Sequence, residues 1–325
     1  MYKSTDISII IPTYNRAKYL EKNLSYLIKQ NSKAKEILII DQSKDNLTKK
    51  VYAKYKNKIK NLKYYHYNKP SIAQAKNLGL KKVLKKSKIL LFLDDDAYVG
   101  KTYLNEIIEG YNDHPDAFGI SGLHPITIKT NSFKFNIWNT YKKIFLLGSL
   151  TNKKLLFNAP YNNKGWLDHN KMYKAEWFSG TNPSFKKLVF SKLRFDDNFF
   201  GWSLGEDIDI SYRIYREFGQ LYTIPSSLRH EHPPAQYDLK KALFRIYMNQ
   251  INHFYLYYKL MPNKTLEFFW NLFGIALYRI LSLFNVWKIK KNYYESKHFF
   301  ISLFYCLKNK RKIRRGDLSI PEFKI

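Results

Sequence analysis

Cysteine is almost absent from this sequence, and acidic residues are scarce. Cys306 is the single cysteine among 325 residues, so no intramolecular disulfide can form and a reducing compartment is indicated. There are 26 aspartates and glutamates against 56 lysines and arginines, which gives a formal net charge of +30. An anionic partner could neutralise so large an excess, and a general compositional bias toward lysine could account for part of it. Charge alone leaves that partner open between nucleic acid, an anionic membrane surface and phosphorylated substrates.

The sequence also lacks a long apolar run that is free of charge. Its most apolar stretch, residues 266–287, is interrupted by Glu267, Arg279 and three further polar residues. A helix lying in a membrane interface, or one packing against a partner, therefore fits this stretch better than a transmembrane span. The basic residues that follow it would pair with anionic lipid headgroups, although an ordinary helical region with solvated lysines is the alternative. We expect a cytoplasmic protein, peripheral on the inner face of the cell membrane.

The first part of the chain alternates strand and helix patterns. Apolar residues make up 45% of the chain, enough for one large domain or two modest ones. Strands are predicted at 7–11, 36–40, 63–67 and 88–93, helices at 18–30, from 47, at 72–86 and at 206–218, and an edge strand at 221–224. Repeated strand–helix units of this kind predict an α/β fold, with helices on both faces of a parallel sheet.

Polar loops follow three of the predicted strands, at 12–16, 41–46 and 94–96. Because ligands of such sheets bind beyond the carboxyl ends of the strands, we expect the functional site there. The pattern becomes irregular over 124–174, which we interpret as an insertion that closes over the site. The pair Pro233-Pro234 marks a boundary. It divides the chain into a domain at 1–235 and a helical, membrane-leaning region at 236–325.

Three adjacent carboxylates, Asp94, Asp95 and Asp96, come directly after the fourth predicted strand. They repel one another, so their place at the end of a buried strand favours a compensating cation. On an extended backbone Asp94 and Asp96 point to the same side, where they could share one Mg²⁺ or Mn²⁺ and leave positions open for phosphate oxygens. A solvated acidic loop that caps the next helix is the alternative.

Carboxylates recur at the start of the helix predicted at 206–218, after an aromatic turn that contains Trp202. The helix dipole stabilises carboxylates at this end, and simple capping is the interpretation that we prefer for Asp209. A partly desolvated carboxylate beside the aromatic turn could instead act as a general base toward a sugar hydroxyl. The apolar face of a sugar could stack on the indole of Trp202.

Two histidines, His230 and His232, lie one residue apart in an extended segment and so share one face. Two imidazoles without a third nearby ligand make an independent zinc site a poor interpretation. One of them could instead complete the coordination that the aspartates begin.

Taken together, these residues resemble the family 2 glycosyltransferases, which are inverting enzymes with the GT-A fold. The resemblance covers about residues 6–235 and rests on five motifs in the family's order. The matching segments are 9–16, 39–45, 75–79, 93–96, and 205–209 with Arg213. The resemblance implies a GT-A type, Rossmann-like mixed sheet flanked by helices, followed by the helical region.

The resemblance also implies roles for individual residues. The implied donor-binding residues are Pro12, Thr13, Tyr14, Asp41, Gln42, Lys76, Asn77, Asp94 and Asp95. Asp96 would bind the metal that bridges the diphosphate, with His230 favoured over His232 as the late metal ligand. Two positions depart from the family pattern. Gln42 stands where an acidic residue is common, and Lys76 replaces the usual arginine, which keeps the charge but loses bidentate geometry.

The implied activity is transfer of a sugar, with inversion, from a nucleotide donor to a hydroxyl group. Asp207 would be the base that deprotonates the acceptor, and Trp202 and Glu206 would contact the acceptor or the sugar. The expected cofactor is a divalent metal, Mn²⁺ or Mg²⁺, and the expected donor is a UDP-sugar. The expected acceptor is a lipid-linked or cell-surface glycan, and no nucleic acid partner is expected.

Two other classes of protein remain as alternatives. A nucleotidyltransferase also uses an acidic pair on a Rossmann-like sheet, but it would show a Gly- and Lys-rich phosphate loop, which residues 12–16 are not. A non-catalytic protein that binds nucleic acid or another polyanion would explain the charge. The acidic triplet at the end of a buried strand argues against it.

Overall fold

The chain forms two compact units in a computed structural model that describes residues 1–123, 133–147, 170–199, 204–230 and 237–322. Among these, the first unit contains 1–123, 170–199 and 204–230, and the second contains 133–147 and 237–322. The division into domains at 1–235 and 236–325 stays a prediction. In the structure the second unit also contains one helix that comes earlier in the sequence, before residue 150.

The first unit is built from strands and helices that alternate along the chain. Its strands are β1 (Ile7–Thr13), β2 (Glu36–Asp41), β3 (Leu62–His66), β4 (Ile89–Phe92), β5 (Ala97–Val99), β6 (Gly119–Gly122), β7 (Tyr173–Ala175), β8 (Pro183–Lys186), β9 (Leu221–Ile224) and β10 (Leu228–His230). Its helices are α1 (Ala17–Ile28), α2 (Leu47–Tyr55), α3 (Ile72–Lys82), α4 (Tyr103–Asp113) and α6 (Glu206–Glu217).

Eight of the strands form one mixed sheet in the order β3-β2-β1-β4-β8-β6-β9-β7. The first four in this order are mutually parallel, whereas β8 runs antiparallel to both β4 and β6. β5 and β10 form a separate antiparallel pair. The predicted α/β fold with a mixed sheet and flanking helices is confirmed.

The prediction that residues 221–224 form an edge strand is wrong. β9 lies between β6, to which it is parallel, and β7, to which it is antiparallel. β7 comes from the stretch 124–174, which the sequence presents as irregular. A further regular element of that stretch is α5 (Phe133–Ile144), while 124–132 and 148–169 lie outside the described residues.

All seven residues of β1 are buried, as expected for a strand covered on both faces. On one side α1 supplies Leu20, Leu24 and Leu27, which recur at helical spacing and are at most 4% exposed. Full burial of such side chains stabilises the fold by roughly 1.5–3 kcal/mol each. The carboxyl ends of β1, β2 and β4 are thereby held at one edge of a rigid sheet.

Helix α3 lies unusually close to β1, at Gly79. A Cβ at this position would stand 2.6 Å from Cγ2 of Ile10, so only glycine permits the approach. Lys76 lies three residues earlier, on the same face of the helix. The close packing therefore carries the Lys76 side chain into the interior.

The second unit is helical. It consists of α5, α7 (Leu239–Leu260), α8 (Thr265–Ser282), α9 (Ile289–Lys308) and α10 (Lys310–Arg314). Asp238 caps α7 by accepting a hydrogen bond from the backbone N–H of Lys241 at 2.9 Å. Leu243, Ile246 and Phe299 form its apolar cluster. Within the described ranges, no helix combines the length and the apolar character that crossing a bilayer requires.

His253 is a buried histidine of α7 whose ring stands edge-on to Phe268, with 5.2 Å between the ring centroids. Burial lowers the pKa of His253 to about 3. Unfolding exposes the ring, which then takes up a proton below a pH of about 6.5. The unfolded chain therefore binds more protons than the folded chain between these two values, and stability falls as the pH falls through this window.

We expect His253→Phe to reduce the acid sensitivity of the protein. Between pH 7 and pH 5 the wild type should lose about 2 kcal/mol more of its unfolding free energy than the variant, because each pKa unit is worth about 1.4 kcal/mol. Urea unfolding at the two pH values measures the difference. His66→Phe, at an exposed histidine, is the control. An equal effect of the two substitutions would contradict the role of burial.

Candidate active site

The three aspartates form a tight turn between β4 and β5, held by neighbouring elements. The Asp94 backbone N–H donates to the Thr181 carbonyl at 2.9 Å. Asn23 of α1 is fully buried, and its side-chain amide donates to the carbonyls of Asp94 at 3.1 Å and Ala97 at 2.6 Å. These bonds fix the direction of the carboxylates, because the backbone of the turn has little freedom left.

His230 reaches the aspartates because β10 pairs with β5. In this antiparallel register Ala97 lies opposite His230, so the imidazole stands beside the residue that precedes Ala97. His230 Nε2 is 3.1 Å from Asp96 Oδ1. Ligand atoms of Asp94, Asp96 and His230 all lie within 4.8 Å of one another.

Two carboxylates and an imidazole at this spacing fit a divalent cation. Carboxylate oxygens suit Mg²⁺ and Mn²⁺, and imidazole adds affinity for the transition metal. Asp96 and His230 are thus close together, as the sequence predicts for metal ligands, and Asp94 lies within reach of the same ion. His232, the other predicted ligand, lies outside the described residues.

Asp95 faces a different set of partners. Its carboxylate accepts a hydrogen bond from the Thr13 hydroxyl at 2.7 Å and lies 3.2 Å from Arg16 Nη1. Burial raises the pKa of Asp95 to about 7, against the opposing effects of Arg16 and Thr13. The predicted donor-binding residues Thr13 and Asp95 therefore contact each other at the end of β1.

Arg16 is a site residue to which the sequence analysis assigns no role. Its second amino group contacts Asp96, so one guanidinium bridges two of the three carboxylates. Burial by itself would raise the pKa of Asp96, but His230 and Arg16 together outweigh it and hold that pKa below its ordinary value. The sequence did contain a signal for Arg16. Arg16 lies in the loop after β1, and that loop is at the same edge of the sheet as the aspartates.

The predicted uridine-binding residues lie at the adjacent strand ends. Thr13 at the end of β1 is in register with Asp41 at the end of β2. Asp41 accepts hydrogen bonds from the Tyr64 hydroxyl at 2.7 Å and the Ser43 N–H at 2.9 Å. Gln42 donates to backbone carbonyls of the loop before α3, those of Lys69 and Ser71.

Pro12 is buried in β1, and Tyr14 is half-buried immediately after that strand. Asn77 is tied to a more distant part of the first unit. Its amide nitrogen donates to the Phe195 carbonyl at 2.9 Å and to Asp197 at 2.8 Å, and its oxygen accepts from the Phe195 N–H. Asn77 thus anchors the segment that leads toward Trp202, which lies outside the described residues.

Helix α6 begins at a glycine that its backbone requires. Gly205 has φ +105°, in the left-handed region that other residues rarely adopt, and it leads directly into Glu206 and Asp207. The Asp207 carboxylate accepts hydrogen bonds from the N–H groups of Gly180 at 2.6 Å and Ile208 at 2.9 Å. Desolvation raises the pKa of Asp207, while these bonds and Lys76 oppose the rise.

Lys76 and Glu206 form a buried ion pair next to Asp207. Lys76 Nζ lies 2.8 Å from Glu206 Oε1, and the two side chains are 1% and 7% exposed. Burial alone would lower the pKa of Lys76, but Glu206, Asp94 and Asp207 together raise it. Lys76 is therefore a buried cation that interacts with carboxylates in two places, Asp94 in the aspartate turn and Glu206 and Asp207 at the start of α6.

The sequence profile of glycosyl transferase family 2 matches residues 8–179, more than half of the chain. This chain belongs to glycosyl transferase family 2. The resemblance seen in the sequence motifs is thereby confirmed. The family assignment favours the glycosyltransferase interpretation over the nucleotidyltransferase and the polyanion-binding protein.

Among similar proteins, validoxylamine A glucosyltransferase of Streptomyces hygroscopicus subsp. jinggangensis is 24% identical over 233 residues. The match covers 64% of this chain, and the chain spans about half, 51%, of that relative. The chain therefore aligns with part of a longer protein.

Two solved structures show the same fold. The mannosyltransferase PcManGT of Pyrobaculum calidifontis, in complex with GDP-Man and Mn²⁺, superimposes with a TM-score of 0.54 at 16% identity, over 95% of this chain and 76% of its own. GalNAc-T7 with UDP, GalNAc and Mn²⁺ gives a TM-score of 0.56 at 15% identity, over 94% of this chain and 57% of its own. At these identities the likeness establishes the GT-A type of fold.

The buried Lys76–Glu206 pair leads to a prediction about stability. Lys76→Met leaves Glu206 buried without a cation and should lower the unfolding free energy by about 3–5 kcal/mol. Lys76→Met combined with Glu206→Leu removes both charges and should recover part of that loss, since Asp94 and Asp207 still lose their neighbouring cation. Urea unfolding of the three proteins measures both effects.

The control is Lys54→Met, because Lys54 pairs with Glu21 on the surface, where both side chains are exposed. That substitution should change stability little. If the double variant were no more stable than Lys76→Met, the unpaired charge of Glu206 would not be the cause of the lost stability.

Proposed function

We propose that the protein is an inverting, metal-dependent glycosyltransferase that moves a sugar from a nucleotide donor to an acceptor hydroxyl. The observation that carries the proposal is the cluster of Asp94, Asp96 and His230 at the carboxyl edge of the sheet. Nucleotide diphosphates are held at such edges, and a cation there can bridge two phosphates. UDP is the proposed nucleotide, by the family resemblance.

The Asp94, Asp96 and His230 side chains would hold a Mn²⁺ or Mg²⁺ ion. When bound, the ion supplies positive charge that offsets the charge growing on the leaving diphosphate. Arg16 is the neighbouring cation in the protein itself, within contact of Asp95 and Asp96. We propose that its guanidinium, like the metal ion, offsets negative charge at this edge of the site.

Asp207 is the proposed base. Its carboxylate takes the proton of the acceptor hydroxyl while that oxygen forms a bond to the anomeric carbon. The bond from the same carbon to the diphosphate breaks, and its electron pair leaves with the diphosphate. Attack from the opposite face inverts the configuration. The N–H groups of Gly180 and Ile208 orient the carboxylate, and its raised pKa strengthens it as a base.

The remaining predicted residues are proposed to shape the donor and acceptor sites. Pro12, Thr13, Tyr14, Asp41 and Gln42 would border the nucleoside, because they lie at the ends of β1 and β2. The side chains of Thr13, Asp41 and Gln42 are ordered by protein hydrogen bonds, which favours a preformed pocket over one that assembles on binding.

Asn77 and Lys76 are proposed to support the site from α3, through the 195–197 segment and Glu206. Trp202 and Glu206 are proposed for the acceptor side. Water has to be excluded during transfer, since it would otherwise take the place of the acceptor.

For the acceptor we propose a lipid-linked or cell-surface glycan, as in the assembly of capsule, exopolysaccharide or lipooligosaccharide. The support is the second unit, which combines apolar helices with an excess of basic residues. A peripheral position on the inner face of the cell membrane would bring such an acceptor to a nucleotide-sugar donor.

Substitutions should separate the two proposed roles. Asp207→Asn should lower the transfer rate by roughly a thousand-fold, the scale of general base catalysis, while Mn²⁺-dependent UDP binding remains. Asp96→Ala should lose both, because it removes a metal ligand. Calorimetry with UDP and Mn²⁺ measures binding, and a panel of nucleotide sugars assayed for release of the nucleotide measures turnover.

Asp113→Asn, at an exposed aspartate of α4, is the matched control and should behave as the wild type. In the wild type the rate should fall as the pH drops through the raised pKa of Asp207, since only the ionised carboxylate accepts a proton. Near-normal turnover by Asp207→Asn would refute the base assignment. UDP binding that ignores Mn²⁺ would refute the metal assignment.

A further inference from the structure

One face of α8 is apolar and largely open to solvent, although Phe145 packs against Trp270 and Phe273 on it. The exposed residues lie in two groups, one toward each end of the helix, and the helical period places both groups on one face. They are Leu266, Phe269, Trp270, Phe273, Ile280 and Leu281, continued by Phe284 just past the helix. Leu266 is 85% exposed, Phe273 53% and Phe284 79%. Helix α8 itself is about 27 Å long at 1.5 Å per residue.

The opposite face of α8 already packs into the second unit. Phe268, Asn271 and Leu272 are buried there, whereas Gly274, nearer the exposed face, is covered by Phe145. A helix at the surface of a soluble protein usually turns a polar face outward, whereas this one is apolar on both sides. An exposed apolar strip of this size marks a surface that interacts with another protein or with a membrane.

Positive charge adjoins the end of this strip. Trp287 is 93% exposed and is followed by Lys288, Lys290 and Lys291, all of them exposed. Of the charged residues on α8 itself, Arg279 is paired with Glu295 at 2.9 Å, and Glu267 is acidic. Tryptophan beside lysine at the end of an apolar strip is the arrangement that membrane interfaces favour, with the indole among headgroups and the ammonium on phosphates.

The charge of the whole unit decides between two kinds of occupant. Residues 237–322 contain sixteen lysines and arginines against five aspartates and glutamates. A second copy of the chain would bring two such surfaces together, and their like charges would repel. An anionic bilayer offers both an apolar interior for the aromatic side chains and negative headgroups for the lysines.

We propose that the exposed face of α8, with Trp287 and the lysines after it, docks on an anionic lipid bilayer. The helix would lie along the bilayer surface, with its apolar side chains among the upper acyl chains. This assigns a surface to the membrane position proposed above. Docking requires no donor, metal or acceptor, so its test stands apart from that of the transferase reaction.

The test is flotation of the full chain with lipid vesicles at low ionic strength. Vesicles of phosphatidylcholine with phosphatidylglycerol should carry the protein, vesicles of phosphatidylcholine alone should carry far less, and added salt should release it. Equal recovery on both kinds of vesicle, or no recovery on either, would overturn the proposal.

Two sets of variants locate the contact. Phe273→Glu combined with Phe284→Glu should abolish flotation, whereas Leu47→Glu, at a residue of the first unit that is also 53% exposed, should leave it intact. Replacing Lys288, Lys290 and Lys291 by glutamine should weaken partitioning on the order of a hundred-fold, from about 1 kcal/mol for each basic residue at the surface. Unchanged flotation in either set would overturn the assignment.

Two further measurements keep the result clear. Circular dichroism should be the same for all variants, and the wild type measured on both kinds of vesicle tests the proposal even if a variant fails to fold. Light scattering without lipid should show no change of mass on Phe273→Glu. A wild-type dimer that this substitution splits would identify a second copy as the occupant and would overturn the bilayer.

Discussion

Burial of several carboxylates at one edge of a sheet is the constraint on which the first unit depends. Each buried carboxylate would cost several kcal/mol without positive charge beside it. Two cationic side chains supply this positive charge. Arg16 contacts Asp95 and Asp96, and Lys76 pairs with Glu206. Lys76 also acts on Asp94 and Asp207. The acidic groups thus stay close together, which a site for a metal and a diphosphate requires.

The scaffold explains how these charges come together. Arg16 follows β1, Lys76 is carried inward by the close packing of α3 at Gly79, and His230 arrives through the pairing of β10 with β5. The family match and the solved relatives place this architecture among GT-A type folds. The geometry of the site therefore comes from the sheet and its neighbours, which hold the loop of Arg16 and the turn of the three aspartates in place.

The two units differ in what they expose. The first buries several charged side chains, among them Lys76, Asp95 and Glu206, and presents polar loops at the strand ends, as expected for a site that binds a small charged molecule. The second exposes an apolar helix face beside lysines. A soluble enzyme gains nothing from such a face, because exposed aromatic side chains promote aggregation. A partner that covers the apolar face would explain its exposure. A membrane as that partner agrees with the lipid-linked acceptor proposed above.

Local patterns in the sequence determined much of the first unit. Continuous apolar runs predicted β1, β2 and β4, since strands covered on both faces need no polar alternation, and leucines at helical spacing predicted α1. The same reading placed Asp94–Asp96 at a strand end. Only the tertiary structure decided that β9 is an interior strand and that Lys76 pairs with Glu206. Those contacts join residues as far as 130 positions apart, and neither the order of the strands nor a pairing between distant side chains leaves a local signal in the sequence.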